Sequence, residues 1–237
     1  MIINNKPNEK LPAYITEIYG DLYENEKKCS ARDSVFKCKI RSFFQYKKLV
    51  NALTSELSSG QNVLQLGITF GSQLDETASA IGALGTFDVI DINPMQVARA
   101  KEKYGNIYRC LKFFKQDAAS MKTNGSYDVV ICFMLLSEVP PVTKSKIINA
   151  ALRQTNARGK AIFIDWHNPL RFHPLRYIVR MVNRLRNPFV EKLWDRQIDT
   201  YVDTTLKSKF TWRKSTYFGR MFQKVVATKK QNQFESD

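Results

Sequence analysis

A short run with strand character, Asn62–Leu66, leads directly into a segment that contains Gly67 and Gly71. Further along the chain, Asp91 ends a second apolar run. In a parallel α/β sheet the backbone amides of such a turn face a ligand, and a carboxylate at the end of the next strand accepts hydrogen bonds from ribose hydroxyls. The spacing therefore predicts a site for a nucleoside-type ligand, although a plain strand-to-helix corner also contains two glycines.

A second group of residues with chemical potential follows the predicted fifth strand. Asp165, His167 and His173 lie close together in the sequence, and the chain has only two histidines. Carboxylate and imidazole together suit a divalent ion, and imidazole also serves as an acid or base near neutrality. The spacing is not diagnostic of a metal site, and His173 before Pro174 could instead cap the next helix. Glu138, after the fourth strand, is a further acid, base or ligand candidate, or a solvated loop residue.

These residues need a scaffold, and the sequence indicates an α/β sheet. Strand and helix patterns alternate, which predicts right-handed crossovers and a parallel sheet covered on both faces. The predicted strands are 62–66, 86–91, 111–116, 127–133 and 159–166, and the helices between them are 73–83, 95–104 and 142–155. Two further strand-like runs, Phe210–Trp212 and Met221–Ala227, predict an antiparallel pair at the sheet edge.

Three domain-level predictions accompany this alternation. Residues 1–58 should form a helical cap, with one amphipathic helix from about Val35 to Leu57. Residues 59–228 should form the α/β domain, including a basic amphipathic helix over 174–186, and residues 229–237 a polar tail. At 237 residues, one domain with a large core is expected.

Composition limits the cellular setting. Cys110 and Cys132 lie in or beside apolar strands, and the four cysteines form no C-x-x-C pair, so we expect buried free thiols in a reducing compartment. No stretch approaches the roughly 20 apolar residues of a membrane span, and the first residues show no secretory or transit pattern. We therefore expect an intracellular protein.

The excess of positive charge indicates phosphate-bearing partners. The chain has 37 Lys and Arg against 22 Asp and Glu, which gives a net charge of +15. RNA binding or RNA methylation is one interpretation, but the sequence lacks interleaved aromatic and basic recognition motifs, so we rank it last and expect no DNA partner. Much of the excess charge falls in 171–186, where arginines repeat beside an apolar stripe. Such a helix suits an anionic membrane surface, or it packs on the sheet with a solvated basic face.

Four segments resemble the ordered motifs of class I S-adenosylmethionine-dependent methyltransferases: Val63–Gly71, Asp88–Ala100, Lys115–Ala118 and Tyr127–Phe133. The resemblance implies a Rossmann-like, doubly wound sheet of seven strands with an antiparallel C-terminal strand. It also implies S-adenosylmethionine as cofactor, with Asp91 at the ribose and Asp117 at the adenine amino group. The full set of implied cofactor-binding positions is Gln65, Gly67, Thr69, Gly71, Asp91, Ile92, Asp117, Ala118 and Phe133.

Further blocks are similar to the rhodoquinone-biosynthesis proteins of the RquA family: 12–19, 163–169, 173–176 and 216–226. This resemblance implies that an amino group replaces a methoxy group of ubiquinone, with S-adenosylmethionine as amino donor and a divalent metal, manganese or magnesium, required. It implies a polyprenyl quinone partner, and hence a peripheral location on the cytoplasmic face of the inner membrane, or on the matrix side in a eukaryote. The candidate catalytic residues are then Asp165, His167 and Glu138, and the candidate metal ligands Asp165, His167 and His173.

Two positions depart from the usual first motif. Gln65 stands where most relatives have an acid, and Thr69 stands where most have a glycine. We hypothesise that both changes alter how the amino acid part of the cofactor is held. An ordinary C- or O-methyltransferase that acts on a quinone or another small aromatic molecule remains the alternative, because it shares the fold.

Overall fold

The computed structural model describes residues 11–23, 27, 33–121 and 127–231. Cys29, residues 1–10 and the end of the predicted tail lie outside this range. The helices are α1 Ala13–Tyr23, α2 Val35–Arg41, α3 Tyr46–Thr54, α4 Gln73–Ile81, α5 Pro94–Tyr104, α6 Pro141–Gln154, α7 Arg176–Arg186, α8 Val190–Asp195 and α9 Thr204–Lys207. The strands are β1 Asn62–Leu66, β2 Thr86–Asp91, β3 Leu111–Lys115, β4 Tyr127–Phe133, β5 Thr155–Trp166, β6 Phe210–Tyr217 and β7 Phe222–Lys229.

The seven strands form one sheet in the order β3-β2-β1-β4-β5-β7-β6. The first five strands are parallel, and β7 pairs antiparallel with both β5 and β6. This confirms the predicted doubly wound sheet and its antiparallel C-terminal strands. The strand order reverses between β1 and β4, and in open α/β sheets ligands bind beyond the carboxyl ends of the strands at such a switch point.

The core has two layers, one on each face of the sheet. Val63 and Leu64 are neighbours in β1 and both are fully buried, but they pack in hydrophobic clusters on opposite faces. Helices α3, α4 and α5 contribute to the first cluster and α6 to the second. Because both faces are covered, the inner strands read as nearly continuous apolar runs.

The prediction of a single helix from Val35 to Leu57 is wrong. The chain leaves α2 at Ser42, whose hydroxyl donates to the Cys38 carbonyl at 2.8 Å, and Phe43 and Phe44 both have left-handed backbones, with φ of 50° and 63°. A helix cannot continue through two such residues. The break redirects α3 so that the Tyr46 hydroxyl reaches the Phe70 carbonyl at 3.0 Å.

The boundary between α6 and β5 also differs from the prediction. The helix ends at Gln154, and the strand begins at Thr155 rather than near 159, with an irregular register opposite Tyr127. The predicted buried free thiols are confirmed for Cys110 and Cys132, and Cys38 is buried as well. None of the helices in the described ranges is long and apolar enough to cross a bilayer.

Candidate functional site

A cavity of about 210 Å³ lies beyond the carboxyl ends of β1, β2 and β4. Its floor includes Gly67, Asp91 and Phe133, which end or follow those strands. Helices α1 and α2 enclose it from the N-terminal side, where Tyr14 and Arg41 contribute to the wall. The switch point predicted from the strand order therefore carries a pocket that the N-terminal helices help to build.

Asp91 is the best-positioned polar group of this cavity. It is half-buried, and each carboxylate oxygen accepts one backbone N–H, from Ile68 at 2.8 Å and from Asn93 at 2.8 Å. An ionised carboxylate has about four acceptor sites, so acceptor capacity remains for hydroxyl groups in the cavity. Helix α5 does not depend on Asp91 for its cap, because the Asn93 side chain accepts from Met95 N instead.

Burial raises the pKa of Asp91 to about 6, and the nearby Glu138 raises it further while the two amide hydrogen bonds oppose the shift. The group is therefore ionised at neutral pH but close to its titration range. An ionised, oriented carboxylate that faces a cavity suits recognition of a diol.

Asp117, predicted at the adenine amino group, lines the same cavity with three other predicted cofactor-binding residues. Asp117 is half-buried after β3; one of its oxygens accepts from Ala119 N at 2.8 Å and caps a short turn. Ile92, Ala118 and Phe133 supply apolar wall beside it. The carboxylate and the apolar wall together fit a flat, polar-edged ring.

The two glycines of the first loop have different tasks. Gly67 has a φ of 84° and lines the cavity. Gly71, with a φ of 88°, is not part of the lining: a Cβ there would come within 2.6 Å of the Tyr46 hydroxyl oxygen, and its N–H donates to Asp33 at 2.8 Å. The second glycine thus permits close contact with the N-terminal helices rather than with a ligand.

Gln65 is fully buried beneath this loop and does not line the cavity. Its amide forms a reciprocal pair with the Gln73 amide, with both N···O distances at 2.9 Å, and donates to the Gly67 carbonyl at 3.1 Å. Thr69 does line the cavity, and its hydroxyl donates to Gln73 Oε1. Both unusual residues of the motif therefore meet at Gln73, a residue that the sequence analysis did not single out.

The cavity is acidic although the protein is basic. Asp91, Asp117 and Glu138 all line it. Burial raises the pKa of Tyr14 to about 12, and the same three carboxylates add to that shift, so the phenol stays protonated and faces all of them. Arg41 also lines the wall. Such a site favours a ligand that carries positive charge.

Of the three candidate catalytic residues, the structure brings only Glu138 to the cavity. Asp165 is fully buried, and its oxygens accept from Ser137 N at 3.1 Å and Trp166 N at 2.7 Å. His167 is buried, and its Nδ1 lies 3.1 Å from the Asn168 carbonyl and 3.0 Å from the Arg220 carbonyl. Burial, with Lys214 nearby, lowers the pKa of His167.

The predicted metal ligands Asp165, His167 and His173 are not assembled into a site, which corrects that expectation. The described residues contain no group of three or more His, Cys, Asp or Glu side chains able to hold a metal ion. His173 Nδ1 accepts from Leu175 N at 3.2 Å, and the ring packs edge-on against Phe218 with centroids 5.0 Å apart. His173 thus braces the turn before α7 but does not cap the helix, whose N-cap residue is Leu175. The residues present do not fit the divalent metal that the resemblance implies.

Several residues of the site were not found from the sequence. Tyr46, Trp166 and Asn187 line the cavity, and Gln73 anchors its loop. Tyr14 and Trp166 had one signal each, because both fall in segments similar to the RquA family. Tyr46 and Gln73 come from segments whose patterns indicate only helix, and Asn187 directly follows such a segment.

Comparison with known proteins agrees with this architecture. Residues 63–159 match the family model described as a methyltransferase domain. No significant match is found among curated protein sequences.

Solved structures match over most of the chain. The N-methyltransferase NodS from Bradyrhizobium japonicum WM9, in complex with S-adenosyl-L-homocysteine, has a TM-score of 0.62 at 12% identity and covers 93% of this chain and 100% of its own. Magnesium protoporphyrin IX methyltransferase from Synechocystis PCC 6803, with bound S-adenosylmethionine, has a TM-score of 0.57 at 15% identity. The match covers 94% of this chain and 100% of that protein's chain. A SAM-dependent methyltransferase from Aquifex aeolicus has a TM-score of 0.51 at 16% identity, and the match covers 76% of this chain and 89% of that protein's chain. The chain therefore has the fold of class I methyltransferases, and its residues 63–159 are similar to a methyltransferase domain.

Proposed function

We propose that the chain binds S-adenosylmethionine in the cavity and acts as a transferase on a quinone-type ring. The observation that carries the cofactor assignment is Asp91, held by two backbone N–H groups at the end of β2 with acceptor capacity left on the cavity side. Asp91 would accept the ribose hydroxyls, and Asp117 the adenine amino group. The matched methyltransferase domain supports this assignment.

The charge of the cavity also fits this cofactor. S-adenosylmethionine carries a positive sulfonium and an amino group, and three carboxylates line the cavity. The protonated phenol of Tyr14 can donate to an acceptor on the cofactor or on the substrate. When bound, the cofactor supplies an activated methyl group or, as the RquA resemblance implies, a reactive nitrogen.

For the reaction itself we propose amino-for-methoxy exchange on ubiquinone. The blocks similar to the RquA family support this choice, and so does the altered first loop. A carboxylate near the cofactor's amino group would favour its charged ammonium form. At position 65 the chain has a neutral amide that is occupied by Gln73. Without that carboxylate, the amino group loses its proton more readily and could attack the methoxy-bearing ring carbon, from which the methoxy group would leave as methanol. Transfer of the amino acid's α-hydrogen to the ring would then give a quinol and an imine, and water would hydrolyse the imine to the aminoquinol and an α-keto acid.

Methyl transfer to a quinone or other small aromatic molecule is the second candidate, which the match to a methyltransferase domain favours. Both candidates use the same cofactor contacts. They differ in which part of the cofactor points at the ring, and Thr69 is the side chain in the loop that can decide this. Neither candidate, as proposed, includes a step at a metal ion.

The two reactions can be separated by quinone profiling. The chain and its Asp91→Ala variant are expressed in a host that makes ubiquinone, and the quinones are analysed by mass spectrometry. We expect an amino-for-methoxy product with the parent chain and none with the variant. A methylated quinone would instead support the second candidate. An unchanged quinone pool, with a folded protein that binds S-adenosylmethionine, would contradict the quinone assignment.

A further inference from the structure

We propose that the outward face of α7 docks on an anionic lipid surface. Four apolar side chains of this face and Phe172, in the turn before the helix, remain exposed among the described residues, and we call the five the apolar rim: Phe172, Tyr177, Ile178, Met181 and Val182. Phe172 is 91% exposed and Tyr177 77%. Burying such side chains in an apolar phase is favourable, and their exposure to water is costly.

The helix does not fit the alternative of a packed apolar face with a solvated basic face. Among its described side chains, Val179 and Asn183 are the buried ones, Val179 being only 2% exposed, and Leu175 packs against the core just before the helix. The wider apolar stripe points the other way, so the arginines lie between the two stripes rather than opposite the core. Helices that lie in a membrane interface have this arrangement.

The positive charge around α7 favours an anionic lipid surface as the partner of the apolar rim. Residues 170–187 contain five arginines and neither Asp nor Glu. Arg180 and Arg184 share a single carboxylate, that of Glu191, at 3.1 and 3.2 Å, so the region keeps a strong positive charge. Arg171, beside the rim, is exposed. Cations that flank an apolar face complement the headgroups of anionic lipids.

The position of the apolar rim gives this docking a purpose. Asn187, the first residue after α7, lines the cavity, and so does Arg41 at the end of α2. Close to Arg41, Phe44 is 71% exposed, and its neighbour Phe43 connects to α7 through Phe218 and His173. The two segments that carry these exposed side chains therefore each contribute residues to the wall of the same cavity. If the proposed quinone function holds, a substrate with a polyprenyl tail could enter the cavity directly from the bilayer; the lipid contact itself does not depend on that function.

Vesicle co-sedimentation tests the proposal. The full chain is mixed with vesicles of phosphatidylcholine alone, or with added phosphatidylglycerol, at low and high salt. We expect binding that requires the anionic lipid and weakens with salt, because exposed charges are screened. The double variant Phe172→Ser, Met181→Ser should bind at least about tenfold more weakly, since each side chain contributes buried apolar area. The matched control is Leu84→Ser, because Leu84 is 89% exposed and lies just before β2; it should bind like the parent.

Three outcomes would overturn the proposal: no vesicle binding by the parent chain, equal binding by the rim variant and the parent, or equal losses in the rim and Leu84 variants. Light scattering after size exclusion addresses a second copy as the occupant. A dimer that the rim variant abolishes, without vesicle binding, would assign the face to self-association and also overturn the lipid proposal. Calorimetry with S-adenosylmethionine should give the same affinity for parent and rim variant, so failure of the lipid proposal is distinguishable from failure of the proposed function.

Discussion

Asp91 and Asp165 occupy equivalent places at the carboxyl ends of two parallel strands, β2 and β5. Each carboxylate accepts two backbone N–H groups: Asp91 from Ile68 and Asn93, and Asp165 from Ser137 and Trp166. Burial raises the pKa of each to about 6. By residue type, strand position and titration, the two are nearly identical.

Their surroundings differ. Asp91 faces the cavity, whereas Asp165 has no exposed surface and does not line it. Asp165 ties the turn after β4 to β5 through Ser137, so we assign it a structural role. A carboxylate at a strand end thus indicates a ligand site only where acceptor capacity opens onto a cavity.

The largest effect should separate these two aspartates directly. Asp91→Ala removes two hydrogen bonds from ribose hydroxyls to a charged acceptor, each worth roughly 1.5–3 kcal/mol. We expect the calorimetric affinity for S-adenosylmethionine to fall by about two orders of magnitude or more. Asp165→Asn is the matched control and should keep the affinity of the parent. Equal affinities for Asp91→Ala and the parent would refute the cofactor site.

A second test compares a glycine of the first loop, Gly71, with a glycine between β6 and β7, Gly219. In Gly71→Ala the new Cβ would clash with the Tyr46 hydroxyl, and in Gly219→Ala it would clash with the His173 ring. Both glycines have a positive φ, which an alanine adopts only with strain. Each change should lower the free energy of unfolding by about 2–3 kcal/mol, through backbone strain and a displaced side chain. Gly60→Ala is the control for strain alone, because a Cβ there meets nothing within 4 Å.

Only Gly71→Ala should also affect the cofactor, because Tyr46 bonds to the Phe70 carbonyl of the cavity wall. We expect roughly tenfold weaker binding of S-adenosylmethionine for this variant, equivalent to about 1.4 kcal/mol. Chemical denaturation and calorimetry measure the two effects. If Gly219→Ala weakened cofactor binding equally, the proposed separation of the two regions would fail.

The pH dependence of binding offers a third test. The pKa of Asp91 is about 6, so the carboxylate gains a proton as the pH falls below that value and loses acceptor capacity. Affinity for S-adenosylmethionine should be level above about pH 7 and fall by up to about tenfold per pH unit below pH 6. Asp165→Asn should retain this slope and Asp91→Asn should lose it. The same slope in Asp91→Asn would assign it to another group, such as Glu138.

The smallest expected effect concerns the altered first loop. Gln65→Asp with Thr69→Gly replaces the Gln65–Gln73 amide pair and removes the Thr69 side chain from the cavity. We expect the ratio of aminated to methylated quinone to fall several-fold, because a carboxylate at position 65 favours the ammonium form. Mass spectrometry of the quinones measures the ratio. An unchanged product spectrum would refute a role for these two residues in selecting the reaction.

Much of the sheet could be predicted because the signal is local. Apolar runs such as Val63–Leu66 and Val129–Phe133 are fully or almost fully buried, so their composition alone identifies inner strands. The break at Phe43 and Phe44 could not be predicted in this way, since both residues fit the helical spacing of apolar positions and only their backbone angles interrupt it. Whether the apolar face of α7 points to the core or to solvent could not be predicted either, because periodicity shows that an apolar stripe exists but not what it contacts.

The sequence by itself determined the α/β class of the fold and the position of Asp91 at the end of a strand, because strand periodicity and the spacing between first loop and second strand are local properties. Only the tertiary structure decided which polar residues share a cavity. It placed Tyr14 and Glu138 beside Asp91, buried Asp165 away from it, and paired Gln65 with Gln73. The physical reason is that a buried polar group must form hydrogen bonds with the groups that packing brings next to it. Those groups are often distant in the chain, so local sequence patterns do not identify them.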